Sequence, residues 1–507
     1  MRDHGVQTSR RVALCAIIAA ALALRFFRLA HQSLWVDEIL SYRAFTSAAG
    51  VSYWQKFLYD LHGPLYSLIM HFWSMVSKSD LWLRAPSAIS GVLAVYALYR
   101  WFIEIDRPDL ALPAALFMAL SPFHLYYSQE VRFYALLSLF VILTLIAFER
   151  FRARPTLRTG IMLGVVFALA CLVHFSALFL GVAFLVYLIL GGTLRGDHLR
   201  FGAVAAGVVL VVIATWVWRE IAVLRQIRVV TIATLPVAER LRGDLTLSHW
   251  SYPYALYTFS AGYSLGPSLR ELHRVSSVSA LIASHAAAFV STGLIFGGLL
   301  VSGLVRAARD GRLGFFLAVI LVSVASVTLV TALNVKVFNV RYLMCAFPVF
   351  VALLAYGLPG GRGARFAVAA AACAVMIVSD ANYHFRPEYA REDVRGAARV
   401  VTRDEAAGDL ILAPGVEEVF AHYYRGTNRV AFIEPARLGA ALVDGEVATL
   451  FASHPRIWYL RARSWDKDPD GILARALPLQ GVSAASWEFP GAGLVLYARR
   501  SVVPRTD

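Results

Sequence analysis

Apolar runs of about bilayer length recur along the first three quarters of the chain. They fall at residues 12–24, 85–103, 109–126, 131–148, 159–173, 176–192, 201–218, 281–305, 313–333, 341–358 and 364–380. A crossing helix needs about 20 apolar residues, and each run reaches or approaches that length with its flanks. The stretch 160–192 is too long for one span, and His174 near its middle predicts a tight outer turn. The run 65–76 is only about a dozen residues long and is interrupted by His71. If it does not cross, the Arg-bearing loops at 100–107, 150–158, 195–200, 306–312 and 362–365 all face one side, as the positive-inside rule requires. The reading is therefore about eleven transmembrane helices, with 65–76 re-entrant or juxtamembrane. The first run follows Arg2, Arg10 and Arg11 and lacks a small-residue cleavage site. It is kept as a helix with a cytoplasmic N-terminus.

Composition agrees with this pattern. Of 507 residues, 59% are hydrophobic and 16% charged, against roughly 45–50% and 25% in soluble domains. A soluble enzyme, a disordered chain and a coiled coil are excluded. The net charge of +15 fits cytoplasmic anchoring loops and sites for phosphorylated ligands better than nucleic acid. Cys15, Cys171, Cys345 and Cys373 all lie in apolar runs without CxxC spacing, so they read as free buried thiols.

Three long stretches land on the outer face: 30–84, 120–134 and 219–280, joined by the short 334–341. The first is rich in Trp and Tyr, as segments lying along a membrane surface are, although an ordinary aromatic belt gives the same signature. Beyond residue 380 the pattern changes. Helical stretches at 391–404 and 416–424 alternate with short β-branched or aromatic runs at 409–412, 429–433, 456–460 and 494–498. This predicts a small extracytoplasmic α/β domain over 381–507 after a transmembrane domain over 1–380.

The candidate chemistry is on that outer face. Trp35-Val36-Asp37-Glu38 sets two carboxylates at a membrane boundary, where charge is costly unless solvated or paired; the sequence equally allows a plain helix start. Residues 121–134 pack Tyr127, Gln129, Glu130 and Arg132 into a rim between two spans. The third group is an excess of positive charge outside: Arg219, Arg225, Arg228, Arg240, Arg242, Arg270, Arg274, Lys336 and Arg341. A loop near 60 residues long can escape the charge bias, but arginine forks also suit phosphate. Acid, base and phosphate clamp together are what glycosyl transfer from a lipid phosphate requires.

In order and spacing, Leu34-Trp35-Val36-Asp37-Glu38, His62-Gly63-Pro64-Leu65-Tyr66, Leu83-Arg84-Ala85-Pro86-Ser87-Ala88, Tyr127 through Tyr134 and Val340-Arg341-Tyr342-Leu343 resemble the GT-C superfamily of polyprenyl-phosphate-sugar-dependent glycosyltransferases. Within it the chain is most similar to bacterial members of the protein O-mannosyltransferase and aminoarabinose-transferase group. Residues 392–398 fit the start of the outer domain, with Val394 where relatives often carry Trp. The resemblance implies an inverting transferase whose cavity lies under the first outer loop. Asp37 is then the general base, Glu38 its assistant and Glu130 a further site carboxylate. Arg132, Arg341 and Tyr342 hold the lipid phosphate, and His62, Tyr127 and Gln129 line the site.

Members with lipid monophosphate donors generally work without a metal, so no metal and no cofactor is expected. Mg²⁺ or Mn²⁺ at Asp37, Glu38 and Glu130 is the less favoured option. The partners are a polyprenyl-phosphate sugar, an acceptor glycan, lipid or protein, and the bilayer. Nucleic acid is not expected. A transporter of a lipid-linked or anionic substrate predicts repeated halves and mid-span charges, neither of which is visible. A lipid-diphosphate-dependent oligosaccharide transferase differs only in its donor. The C-terminal residues carry no eukaryotic retention signal, which fits a bacterial inner membrane.

Overall fold

Each of the eleven apolar runs contains helix in the computed structural model, although 109–126 breaks at Ser121, 131–148 becomes helical at Tyr134 and 341–358 becomes α-helical only at Phe347; the structure describes residues 2–47, 52–57, 63–226, 247–274, 277–333, 338–431, 433, 440–468 and 470–500. Among these residues six helices are long and apolar enough to cross a membrane: Asp80–Glu104, Tyr134–Ala153, Asp197–Ala214, Ala286–Arg309, Leu313–Ala332 and Arg362–Phe385. A seventh is the pair Pro108–Leu120 and Pro122–Ser128, bent by 58°. Leu157–Val173, Phe175–Leu190 and Phe347–Gly357 are apolar but shorter. Arg2–Phe26 forms the first helix. Pro64–Ser74, with 11 residues, rises only about 16 Å, half the hydrocarbon thickness of a bilayer.

Large side chains such as Leu210, Val211, Leu294 and Phe366 stand exposed on the helices, as lipid-facing side chains do. Small residues let helices approach inside the bundle. Gly303 faces the carbonyl of Leu353, and Gly357 faces that of Leu299. A β-carbon at either position would collide with the facing backbone. Cys171 and Cys345 are buried and free as expected. Cys15 instead lies on an exposed helix face and Cys373 is partly exposed, because an apolar run in a membrane protein need not face the interior.

The chain divides into two compact units. One comprises residues 1–29 and 41–384; the other comprises 30–40 and 385–507. Hydropathy does not attach 30–40 to the C-terminal domain.

In the second unit the five-stranded sheet has the order β2-β1-β3-β5-β4. Its strands are β1 (Leu410–Leu412), β2 (Arg429–Ala431), β3 (Arg456–Ala462), β4 (Gly481–Phe489) and β5 (Ala492–Arg499). β1 runs parallel to both neighbours, whereas β5 is antiparallel to β3 and β4. Leu410, Leu412, Ile457 and Tyr459 pack against Val447 and Phe451 of helix Ala440–Ser453 and Leu473 and Leu477 of helix Ile472–Gln480. Asp409 pins β1 to β3. It accepts both arms of the Arg456 guanidinium, at 2.8 and 2.6 Å, and the Trp458 indole N–H at 2.8 Å. Burial pushes the Asp409 carboxyl up, but Arg456, the Ala406 amide and Trp458 outweigh it and hold the group below its ordinary range.

Candidate active site

In the membrane unit the site is organised by the break at Ser121-Pro122. Pro122 has no N–H and disfavours continuation of the helix before it. The chain therefore turns, and Pro122–Ser128 starts afresh with Ser121 as its N-cap. The turn leaves carbonyls of Pro108–Leu120 without helical partners. Arg25 fills that need, donating to Met118 O at 3.1 Å and Ala119 O at 3.0 Å, with His124 Nδ1 at 2.8 Å. Arg25 is fully buried. Gly91 allows this, since a β-carbon there would meet the Ser128 hydroxyl and the Arg25 guanidinium.

Gln129 reciprocates at the end of the first helix. Its amide donates to the carbonyls of Leu24, Arg25 and Phe27 at 3.1, 3.1 and 3.0 Å. Those are helix-terminal acceptors that a buried end must satisfy. Gln129 is therefore occupied as a cap, and its side chain positions the rim.

The next residues form the cluster. Glu130 is fully buried, and Arg132 is 7% exposed. Arg132 donates to the Ser41 hydroxyl at 2.9 Å, and its own carbonyl accepts from Ser87 at 3.0 Å. The Arg132 and Arg341 guanidinium carbons each lie 5.7 Å from the centroid of the Tyr134 ring. Arg341 is 5.7 Å from the Tyr342 ring as well. The 3-10 turn Val340–Leu343 that carries them is capped by Asn339, whose side chain accepts from the Arg341 amide.

His174 stacks on Tyr342, with centroids 6.1 Å apart, and on Phe133 at 4.7 Å. The Tyr127 ring packs 5.0 Å from Tyr134, and its hydroxyl is 2.8 Å from that of Tyr263. Thus Tyr127, Glu130, Arg132, Arg341 and Tyr342 come together. Tyr134, His174 and Tyr263 join them. Tyr134 closes the motif already quoted, but the sequence presents His174 only as a turn residue and Tyr263 as one tyrosine among many.

Asp37 and Glu38 belong to the second unit, in the first turn of helix Val36–Phe45. Asp37 is half-buried and Glu38 fully buried. The Glu38 carboxylate accepts from Arg391 at 3.0 Å and from the Trp35 amide at 3.2 Å. His62 lies outside the described residues, as do Arg228, Arg240, Arg242 and Lys336; so do the side chains of Arg219, Arg225 and Arg274. No group of three or more His, Cys, Asp or Glu side chains suited to a metal ion occurs among the described residues.

A family model described as dolichyl-phosphate-mannose-protein mannosyltransferase matches residues 61–218. Among solved structures, ArnT from Cupriavidus metallidurans in the apo state is similar with 12% identity and a TM-score of 0.50, over 95% of this chain and 97% of that one. The Archaeoglobus fulgidus oligosaccharyltransferase in the apo form has 13% identity and a TM-score of 0.51, over 97% and 75%. The chain has the GT-C fold. No protein of curated function matches it in sequence. The GT-C resemblance read from the motifs holds, and the matched segment contains three of them: residues 62–66, 83–88 and 127–134. The motifs at 34–38 and 340–343 lie outside it.

Proposed function

We propose that this GT-C chain is an inverting glycosyltransferase. It moves a sugar from a polyprenyl-phosphate donor to an acceptor hydroxyl or amine at the outer face of the membrane. The observation that carries this reading is the pair Arg132 and Arg341, each 5.7 Å from the centroid of Tyr134, beside Tyr342 and Tyr127. Two guanidiniums beside one aromatic ring suit a lipid phosphate, and the matched family model is described by a dolichyl-phosphate sugar.

In this reading the Asp37 carboxylate takes the proton of the acceptor O–H or N–H. The acceptor atom bonds to the anomeric carbon as the bond from that carbon to the phosphate oxygen breaks. Displacement from the opposite face inverts the centre. The electron pair leaves with the polyprenyl phosphate, whose added charge Arg341 and Arg132 stabilise. Glu130 is a further carboxylate of the site, and the residues need no metal ion for these roles.

Purified protein incubated with polyprenyl-phosphate sugars should transfer sugar with inversion and without dependence on added divalent cation. Mass spectrometry of co-purifying lipid should find a polyprenyl monophosphate head group. A lipid diphosphate there would redirect the reading to an oligosaccharide transferase, and absence of any transfer across hexosyl and pentosyl donors would refute it.

A further inference from the structure

Residues 30–40 are separated from the C-terminal domain by more than 340 positions, yet the two are one compact unit. The attachment is specific. Arg391 donates to Glu38 at 3.0 Å, with side-chain exposures of 7% and 0%. The Arg391 guanidinium also lies over Trp35, 5.5 Å from its centroid, and its amide donates to the Gln32 side chain at 3.2 Å. The Ser33 hydroxyl donates to Glu392 O at 2.6 Å, and the Leu34 amide donates to the Tyr423 hydroxyl at 2.7 Å. Arg395 donates to Ala30 O at 3.0 Å and His31 O at 2.6 Å.

These contacts grip the segment on both sides of Trp35 and end one residue beyond Asp37. Glu38 is enclosed and paired, so it has little freedom to shuttle a proton. Its neighbour Asp37 is half-buried on the same helical turn. A carboxylate at the third position of a helix that also accepts from the N-cap amide fixes how the helix begins. Fixing that turn fixes the direction in which Asp37 leaves the backbone.

We propose that Arg391 is a positioning residue: by pairing with Glu38 it mounts the Trp35–Glu38 turn on the C-terminal domain and orients the Asp37 carboxylate. The inference rests on the role proposed for Asp37. It gives the C-terminal domain a function, that of holding the acidic loop. It also reassigns Glu38 from proton transfer to support. Removing one partner of a buried pair leaves an uncompensated charge, so R391A alone could report misfolding. R391K keeps the charge but loses the fork, and the double variant E38Q/R391Q removes both charges together.

The test uses the full-length protein in detergent. Hydrogen exchange over residues 34–40 should quicken about tenfold in R391K and in E38Q/R391Q, with the exchange of β1 and β3 unchanged. With a polyprenyl-phosphate sugar as substrate, kcat should fall about 10²-fold, the scale of a 1 Å misplacement, while donor KM stays within about twofold. R386A, whose partner Glu388 sits in an exposed pair, should change neither readout. Unchanged exchange in both variants would overturn the proposal, and so would quickened exchange with an unchanged kcat. If the wild-type protein transfers no sugar, the proposed function fails on its own. The exchange arm then still decides whether the pair holds the loop.

Discussion

The two acidic motifs of this chain are mounted in different ways. Trp35-Val36-Asp37-Glu38 is held by charge: its glutamate is buried against Arg391 and the loop around it is gripped by Arg395 and Tyr423. Ser128-Gln129-Glu130-Val131-Arg132 is held by a neutral cap: the Gln129 amide donates to three carbonyls at the end of the first helix. In each motif one residue with a functional look is a fastener, and its neighbour carries the proposed chemistry. Adjacent polar residues in a membrane protein thus divide between holding and acting, and only the partner list separates the two. The mounting also differs in its reference body. The arginine pair around Tyr134 is set by the first unit, whereas Asp37 belongs to the unit of residues 30–40 and 385–507.

The sharpest way to break the comparison is at Asp37. D37N preserves shape and removes the base. A positioned general base contributes about 10²–10⁴-fold, so transfer should fall by at least about 10³-fold while the protein still purifies as a monodisperse species. Near-normal transfer would move Asp37 into the fastener class with Glu38. The next largest effect is expected at Arg341. R341A removes one of two cations beside Tyr134, and charge-assisted hydrogen bonds to phosphate contribute about 1.5–3 kcal/mol each. Donor affinity should weaken about 10- to 100-fold in a lipid-binding titration, with acceptor KM nearly unchanged. An unaltered donor affinity would detach the arginine pair from the phosphate.

Gln129 tests the other class. Q129L leaves the Leu24, Arg25 and Phe27 carbonyls without this donor, at a cost of about 1–3 kcal/mol in stability. The thermal midpoint should drop, and donor affinity measured below that midpoint should stay within about twofold of wild type. A selective loss of donor binding at unchanged stability would return Gln129 to the substrate rim where its motif first placed it.

Much of this architecture is legible in hydropathy because spanning helices must satisfy their backbone internally and show apolar surface to lipid. That is why each of the eleven runs contains helix and why 65–76 stops short as helix Pro64–Ser74. In the second unit β1, β2, β3 and β5 were legible because they fall on the short β-branched or aromatic runs at 409–412, 429–433, 456–460 and 494–498. β4 was not, because Gly481-Val482-Ser483-Ala484-Ala485-Ser486 pairs with β5 alone and stays largely exposed. The site was legible as a set of motifs, but the roles within it were not. No periodicity reveals that Arg25 would cap the carbonyls freed by the Pro122 break, or that Glu38 would find Arg391 across 353 positions. Such pairings are tertiary facts: they depend on which helix end or domain edge the fold delivers to the side chain.

Asp409 supplies the smallest effect and a control for the comparison, because it is a pure fastener in the same unit as Asp37. Arg456, Trp458 and the Ala406 amide hold its carboxyl below the ordinary value despite burial, and the unfolded-chain value is about 3.9. Between those two values the unfolded state binds more protons than the folded one. The stabilisation is therefore complete above about pH 4 and fades as the pH falls through the folded-state value. Hydrogen exchange at β1 and β3 should be flat from neutral pH down to about pH 5 once intrinsic exchange rates are divided out, and protection should decline below about pH 4. D409N should flatten that acid decline and lower protection at neutral pH, while leaving the exchange of residues 34–40 unchanged. If D409N loosened 34–40 as much as R391K does, the grip on the acidic loop would be a property of the whole domain rather than of the Glu38–Arg391 pair.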